Sequence, residues 1–426
     1  MPLLHDPFRR GQLAAATLFC SLGFQYATWA ARIPALKSNL GLSTAEVGVL
    51  LMAAGVGAAV SFPLVAWLMR RLGSRRLALL SQLCLALLLL ALAAAPNYHV
   101  ALLVMCADGV LVGCLNVAMN AQGAALEARF ERTTMARLHA TFSAGSLLAA
   151  LVASAMTTLT GSVGAHFGVA VALLLALGAT ARTGLLDEDR DRDKDKAKAK
   201  DKAGDEARDG NGGATDAPAP AERRRSWTVP TALTLWMCCA MVFGTVAEGA
   251  MNDWSALYLK DVAGASAGLA PLGIAVVSGA MVIARLFADG WRDRWGDRRV
   301  VLLGSALAAT ALTCALLGGG VLPALLGFAC VGLGIAAVTP CVYAAAARQG
   351  SDALTLVAAM GTTGLLAGPP LIGFVADAAS LAWGMGAVAG SAAVVALCGT
   401  RINWEPVGAA APAAVPVTPA EPPRVP

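Results

Sequence analysis

The chain has 426 residues, of which 57% are hydrophobic and only 14% are charged. Soluble domains carry about 25% charged residues, so this composition excludes an ordinary soluble protein and indicates one that lies in a membrane. The net charge of +5 is small for a nucleic-acid-binding protein, and we expect no nucleic-acid partner.

Apolar segments long enough to cross a bilayer follow one another along the chain. A helix needs about 20 apolar residues to cross a hydrocarbon layer of about 30 Å. The first segment lacks a convincing cleavage site followed by a soluble domain, so we expect it to be a retained helix. The sequence predicts an all-α membrane protein with twelve transmembrane helices, at residues 12–34, 45–68, 77–95, 100–122, 138–160, 164–182, 229–253, 268–290, 299–318, 321–346, 354–376 and 380–400.

Basic residues are concentrated in alternate loops. If the N-terminus is cytoplasmic, only Arg32, Lys37 and Lys260 of the 32 Lys and Arg residues fall in outer segments, and Arg285 lies within a helix. Lys and Arg are retained in the cytoplasmic loops of membrane proteins. We therefore expect both termini to be cytoplasmic.

Residues 187–228 interrupt the apolar pattern with a mixed-charge run that ends in Gly, Ala and Pro. Such a segment buries too little apolar surface to offset the entropy of ordering. We interpret it as a flexible cytoplasmic linker between a six-helix bundle at 1–186 and a second at 229–402. The Ala- and Pro-rich residues 403–426 are interpreted as a disordered tail.

The two predicted bundles repeat one another at a constant offset of 223 residues. The offset places the following residues in register: Gly73 with Gly296, Gln25 with Glu248, Trp29 with Asn252, and Gly145 with Gly368. Identity is low, so the signal lies in the register of helices and helix breakers. Parallel repeats of this kind place a substrate site at their interface, near the middle of the bilayer.

Two loops at equivalent positions share a basic pattern with glycine. The first loop contains Arg71, Gly73, Arg75 and Arg76, although Ala66 and Arg70 replace a glycine and an aspartate of the usual Gly-x-x-x-Asp-Arg-x-Gly motif. The second copy contains Asp293, Arg294, Gly296, Arg298 and Arg299, with Asp289 at the first glycine. In these motifs and in its helix count, the chain resembles the major facilitator superfamily over residues 10–402 apart from the linker.

Three further stretches, at 116–143, 248–254 and 361–370, are similar to a bacterial inner-membrane subgroup near the fucose permeases. The resemblance implies the two-bundle major facilitator fold and a multi-pass location in the cell inner membrane. Because substrates vary within such subgroups, it implies transport without naming a sugar.

Charged and amide side chains within the predicted helices are candidates for a substrate or proton pathway, because charge is costly in a bilayer unless it faces a bundle interior. Glu248 and Asn252 are one turn apart on helix 7. We expect them to line a central cavity with Gln25, Trp29 and Arg32, with Arg32 as the counter-charge of Glu248 or Asp253. Alternatively, Arg32 and Asp253 are interfacial residues at helix ends.

Helix 4 contains a polar stripe of Asp108, Asn116 and Asn120. One interpretation is hydrogen bonding to a hydroxylated or amide-bearing substrate, with Asp108 as a second proton carrier. The other is a set of hydrogen bonds that hold helices together.

A second group of residues is predicted to act as gates. Near the inner end of helix 8, Arg285 and Asp289 are one turn apart, followed by Asp293 and Arg294, and we expect them to form a self-satisfied network. It would hold helices 8 and 11 together and seal the inner side in the outward-facing state, and break in the inward-facing state. The other candidates are the residues of the two basic loops, two residues at the loop after helix 4, and the breakers of helix 11, where ordinary close packing is the alternative: Arg71, Gly73, Arg75, Gly296, Glu127, His139, Gly368 and Pro369.

No Gly-x-x-x-x-Gly-Lys-Ser/Thr nucleotide-binding stretch, metal pair or nucleophile-base pattern occurs in the sequence. The ten cysteines all fall in apolar segments and are interpreted as packing residues. We therefore predict a secondary transporter without enzymatic activity or cofactor, coupled to protons and moving a small polar solute such as a sugar or related metabolite. Drug or metabolite efflux and a non-transporting receptor or scaffold are the alternatives.

Overall fold

The computed structural model describes residues 6–132, 134–186 and 230–404, which contain helices and turns but no strand. The predicted linker at 187–228 and residues 405–426 of the predicted tail lie outside this part of the chain. The helices are α1 (Pro7–Ala30), α2 (Ile33–Leu40), α3 (Thr44–Ala93), α4 (Tyr98–Phe130), α5 (Met135–Leu159), α6 (Val163–Arg182), α7 (Ala232–Asp261), α8 (Leu272–Gly318), α9 (Val321–Ile335), α10 (Val338–Gln349), α11 (Ser351–Ala378) and α12 (Leu381–Arg401). Within the described residues, nine helices are long and apolar enough to cross a membrane.

The two longest helices are broken at glycines. Gly73 in α3 has φ 71° and ψ 166°, and Gly296 in α8 has φ 78° and ψ 154°. Residues with a Cβ atom avoid this region, so glycine allows the chain to reverse direction there. The offset predicted from the sequence therefore joins two turns of the same backbone shape.

Side-chain caps set where several helices begin. Ser43 and Glu46 form a capping box at the start of α3, where each side chain accepts a hydrogen bond from the other residue's backbone N–H. Asn97 caps α4 and Ser162 caps α6 by a single bond, in which the side chain accepts from a backbone N–H of the first turn. These bonds satisfy N–H groups that a helix cannot satisfy internally, so polar residues in short loops mark the helix ends.

The helices pack into two halves, and the two halves in turn pack on each other. In the N-terminal half (residues 6–186), α1 packs on α4, α5 and α6, and α3 packs on α4 and α6. In the C-terminal half (residues 230–404), α7 packs on α11 and α12, and α8 packs on α9 and α12. The halves meet where α3 packs on α11 and α5 packs on α8. Leu, Phe and Trp side chains are exposed on the outer faces of the helices, as expected of surfaces that contact lipid.

The halves meet tightly at one end of the molecule. A Cβ atom added to Gly48 of α3 would lie 3.1 Å from the Cα atom of Gly373 in α11, so the two backbones nearly touch. We call this the closed end. At the other end, which we call the open end, a cavity of about 860 Å³ is lined by residues of the N-terminal half that include Phe8, Gln12 and Glu131.

Candidate functional site

An ion pair lies midway along the helices, where the two halves face each other. The guanidinium of Arg285 on α8 donates from Nη2 to Glu248 Oε1 on α7 over 2.9 Å, and the two side chains are 21% and 23% exposed. Arg285 Nη1 also donates to the hydroxyl of Ser143 on α5, in the other half of the chain. Arg285 therefore connects an acid of its own half to a hydroxyl of the opposite half.

Asn252 extends this site by one helical turn. Its side-chain Nδ2 donates to the backbone carbonyl of Glu248 over 3.0 Å, and its side chain is half-buried. The two residues share a face of α7, as their spacing predicts. The site therefore combines a carboxylate, a guanidinium, an amide and a hydroxyl, which can both donate and accept hydrogen bonds.

A second carboxylate is buried within the N-terminal half. Gln25 Nε2 on α1 donates to Asp108 Oδ1 on α4 over 2.6 Å, and the two residues are 1% and 4% exposed. Both helices belong to the same half, so this bond does not join the two halves. The predicted pathway residues Gln25 and Asp108 are thus in contact.

A third carboxylate joins the halves. The hydroxyl of Tyr26 on α1 donates to Asp253 Oδ1 on α7, and Asp253 is 3% exposed. The Tyr26 ring packs edge-on against Trp29 with ring centroids 5.0 Å apart. The interpretation of Asp253 as an interfacial residue at a helix end is therefore wrong, because α7 continues to Asp261 and places Asp253 inside the protein.

Arg32 does not pair with Glu248 or Asp253, contrary to the prediction. Its Nε donates to His166 Nδ1 over 3.1 Å and its Nη2 donates to the carbonyl of Ser162 over 3.2 Å. The chain turns between α1 and α2 at this point, which carries Arg32 away from the central face and towards the start of α6. Arg32 is 3% exposed and fastens the end of α1 to α6.

The protein-family model of the Major Facilitator Superfamily matches residues 14–352 of the sequence. The chain belongs to this superfamily of membrane transporters.

Relatives of this transporter cover most of its length. It is 31% identical over 385 residues to an uncharacterised MFS-type transporter of Yersinia pestis, an alignment that covers 89% of this chain and 92% of the relative. It is 30% identical over 374 residues to the membrane protein MosC of Rhizobium meliloti, with 86% and 84% covered. These alignments extend across both halves.

Solved structures share the fold. The nucleoside transporter NupG superposes with a TM-score of 0.64 at 14% identity, covering 93% of this chain and 98% of that one. The D-xylose-proton symporter superposes with a TM-score of 0.68 at 13% identity, covering 92% and 97%. At these identities the likeness concerns the fold alone.

Among the described residues of the predicted gate, Arg285 has other partners in this structure. The gate is predicted to form in the outward-facing state and to break in the inward-facing state, so it stays a prediction. Arg285 faces the centre of the transporter and is bound to Glu248 and Ser143. Asp293 and Arg294 are exposed, and the side chain of Asp289 lies outside the described part of the structure. Arg285 therefore lies on the face of α8 that is directed towards α7.

Asp297, which the sequence analysis did not single out, is the paired acid of the second basic loop, whereas Asp293 of the motif is exposed. Its carboxylate accepts from Arg292 Nε over 2.7 Å and from Arg348 Nη2 over 2.9 Å. The residue that follows the glycine in the first loop is Ser74, whose hydroxyl accepts from Gln122 Nε2 over 2.6 Å. For Asp297 and for Ser74, the one indication in the sequence was the position directly after the helix-breaking glycine.

The remaining predicted residues of helix 4 bond within the N-terminal half. Asn120 Nδ2 donates to the side-chain oxygen of Asn116 over 2.7 Å and to its backbone carbonyl over 2.8 Å. With Gln25 bound to Asp108, the polar stripe forms contacts within one helix and between neighbouring helices.

The predicted gate residues of the N-terminal half contact neighbouring elements at the open end. Glu127 accepts hydrogen bonds from the backbone N–H groups of Thr134 and Met135 and so fixes the start of α5. The His139 ring lies edge-on to Phe19 with centroids 5.1 Å apart. The basic residues Arg71 and Arg75 lie over the Trp67 ring and on the carbonyl of Arg182, respectively.

The breakers of α11 lie at contacts with other helices. A Cβ atom on Gly368 would be 3.4 Å from Val246 Cα on α7, and one on Gly48 would be 3.2 Å from the carbonyl oxygen of Pro369. Gly368 and Pro369 thus lie where α11 packs on α7 and on α3.

Sequence reasoning missed three contacts between the halves, made by Tyr26, by Ser143 and by Asp377, whose Oδ1 accepts from the backbone N–H of Ala45. Tyr26 adjoins Gln25, which the repeat had singled out, and Ser143 is one turn from His139. Neither neighbour indicates a partner in the other half, so only the fold identifies these bonds.

Proposed function

We propose that the protein is a secondary active transporter that moves a small polar solute across the cytoplasmic membrane by alternating access, coupled to protons. Membership of the major facilitator superfamily supports transport. The similarity of residues 116–143, 248–254 and 361–370 to the subgroup near the fucose permeases supports a hydroxylated solute.

The helices accommodate twelve membrane crossings in the proposed topology. The breaks at Gly73 and Gly296 divide α3 and α8 into two crossings each, α9 and α10 together supply one, and the short α2 supplies none. We propose bundles at 1–186 and 229–402, joined by a cytoplasmic linker. Both termini are then cytoplasmic.

The positions of basic residues indicate which end of the molecule faces the cytoplasm. Arg9, Arg132 and Arg137 line the cavity at the open end, and basic residues are retained on the cytoplasmic side. The open end is therefore assigned to the inside and the closed end to the outside. In this assignment the molecule is inward-facing.

The ion pair between Glu248 and Arg285 is the observation on which proton coupling depends. An ionised Glu248 binds Arg285, whereas a protonated Glu248 gives up most of the electrostatic attraction. Arg285 also binds Ser143 of the other half, so the charge on Glu248 affects a contact between the halves. Proton exchange at a partly exposed acid is thereby linked to their relative movement.

The moving parts in this proposal are the contacts between the halves and the turns that flank them. Rocking of one half against the other changes the packing of α11 at Gly368 and Pro369. The turns at Gly73 and Gly296 connect helix pairs at the inner side, where Arg75 joins α3 to the end of α6 and Arg71 lies over Trp67 of its own helix. Such rigid-body movement around a central site is the usual form of alternating access.

The test is uptake by purified protein in proteoliposomes with an imposed pH gradient and a panel of sugars, polyols and related metabolites. We expect accumulation of at least one solute in the wild type, and counterflow exchange without proton-driven accumulation in Glu248→Gln. Glu46→Gln is the matched control, since Glu46 caps α3. Equal proton coupling in wild type and Glu248→Gln would exclude the assignment of Glu248, and absence of any solute movement would exclude transport.

A further inference from the structure

Asp108 and Asp253 lie on either side of α1 and are equally buried, but they differ in whether their hydrogen bond joins the two halves. Asp108 accepts from Gln25 within the N-terminal half, whereas Asp253 of the C-terminal half accepts from Tyr26 of the N-terminal half. Gln25 and Tyr26 are adjacent residues, so the two acids lie at the same level of the helix. Separation of the halves breaks the bond to Asp253 and leaves the bond to Asp108 in place.

Asp253 is poorly solvated as an anion at the closed end. It is 3% exposed, and among the residues that the structure describes the donor that reaches it is a single neutral hydroxyl. An ionised carboxylate has about four acceptor sites, and a buried charge is costly unless it is paired and fully hydrogen-bonded. The protonated carboxyl avoids that cost.

The charged residues on the elements packed against α7 do not neutralise Asp253. Lys37 on α2 is bound to Asp261 over 3.0 Å, and Arg285 on α8 is bound to Glu248. The remaining charged residues of the packed helices lie at helix ends or at the turn of α8: Asp377 at the closed end, and, towards the open end, Arg9 and Arg10 on α1, the charged residues between 289 and 299 of α8, Asp352 on α11, Arg348 on α10 and Arg401 on α12.

We propose that Asp253 is a second proton-binding site, which takes up a proton from the outer side as the outer end closes and returns it to the same side on reopening. The proposal depends on the alternating access proposed above. Opening the outer end separates Tyr26 from Asp253 and admits water to the carboxyl, which then ionises. This proton shifts the equilibrium of closure without being transported.

Asp253 and Glu248 differ in exposure, and this difference gives them different roles. In the inward-facing molecule Asp253 is enclosed, so its proton has no aqueous path to the inside, whereas the side chain of Glu248 is 23% exposed. Glu248 therefore exchanges the transported proton with the inside, and Asp253 exchanges only with the outside.

The experiment measures the distance between the outer ends of the two halves. Spin labels on non-natural residues at the exposed Ala94 and Ala379, which leave the ten cysteines unchanged, report closure in proteoliposomes without any solute. Uptake of one proton on closure makes the ratio of closed to open molecules fall about tenfold per pH unit as the pH rises. Because no solute is needed, a failure here is distinct from a failure of transport.

Substitutions identify the residue that causes the pH dependence of closure. The variants are made in the Glu248→Gln background, which removes the pH response of the other proton-binding acid. There Asp253→Asn, which mimics the protonated acid, is expected to remain closed from pH 5 to pH 8, while Asp108→Asn, the matched control within one half, retains the response of that background. Tyr26→Phe is expected to lower the closed fraction at every pH and retain the slope. An unchanged slope in Asp253→Asn, or no slope in the Glu248→Gln background itself, overturns the proposal.

The side from which the proton comes is tested in Glu248→Gln, with protein in one orientation and the pH of each compartment set separately. We expect the closed fraction to follow the outer pH alone. A response to the inner pH in this variant means that the remaining site exchanges with the inside, and it overturns the claim that the proton is not transported.

Discussion

Ser154 and Asp377 occupy equivalent positions in the two halves, 223 residues apart, and each bonds its own half to the other at the closed end. Ser154 Oγ donates to the carbonyl of Gly268 over 2.6 Å. Asp377 Oδ1 accepts from the backbone N–H of Ala45 over 3.4 Å. Because Ala45 and Gly268 are also 223 residues apart, the internal repeat generates both bonds.

Removing either of these side chains is expected to favour opening of the closed end. A hydrogen bond contributes about 0.5–1.5 kcal/mol, so Ser154→Ala and Asp377→Ala should each lower the ratio of closed to open molecules roughly two- to twelvefold. The distance between labelled Ala94 and Ala379 measures the change. Ser380→Ala is the control, because Ser380 caps its own helix; an equal effect there would contradict a role in closure.

The contact between Gly48 and Gly373 is expected to tolerate no side chain. A Cβ atom on Gly373 would lie 2.8 Å from Gly48 Cα, so Gly373→Ala should separate α3 from α11 and raise labelling of outer-end residues by an impermeant reagent. Gly390→Ala on α12 meets no atom within 4 Å and should behave as wild type. Unchanged labelling in Gly373→Ala would show that the helices can shift without opening.

Loss of one partner of the central ion pair is expected to be worse for stability than loss of both. Arg285→Gln leaves Glu248 without its counter-charge and should cost about 1–3 kcal/mol, below the 3–5 kcal/mol of fully buried pairs because both side chains are partly exposed. Thermal unfolding in detergent measures this. The double variant Glu248→Gln/Arg285→Gln should recover part of the loss, and a strictly additive result would argue against direct coupling.

Arg285 also has a predicted effect on conformation. Because Arg285 binds Ser143 across the halves while the closed end is packed, Arg285→Ala should raise labelling at that end, which is the outer end in the proposed topology. A network sealing the inner side would have lowered it. Ser143→Ala should cause the same change to a smaller extent, and lowered labelling in both variants would restore the gate first predicted from the sequence.

The turns at Gly73 and Gly296 are expected to be intolerant of alanine. Their positive φ with extended ψ is a region that only glycine adopts readily, and strain of this kind costs about 1–3 kcal/mol. Each substitution should lower the midpoint of thermal unfolding. Gly290→Ala, in α8 with open space around it, should leave the midpoint unchanged or raise it, and a similar loss at all three positions would point to a cause other than φ.

The repeat and the residues facing the centre could be predicted because they depend on local spacing. The offset that pairs Gly73 with Gly296 follows from the order of helices and breakers, and the shared face of Glu248 and Asn252 follows from a helical period of 3.6 residues. The partners could not be predicted in this way. Arg32 was assigned to an acid, whereas it binds His166 and the carbonyl of Ser162, since the turn after α1 determines where its long side chain reaches.

Composition and periodicity alone determined that the chain is an α-helical membrane protein, because a bilayer requires long apolar helices with their backbone groups satisfied internally. Local sequence also determined which residues share a helix face. Only the tertiary structure decided that Arg285 meets Glu248 and Ser143, and that Asp253 meets Tyr26 of the other half. These contacts join residues far apart in sequence, and their existence depends on how whole helices pack and on which end of the molecule is closed.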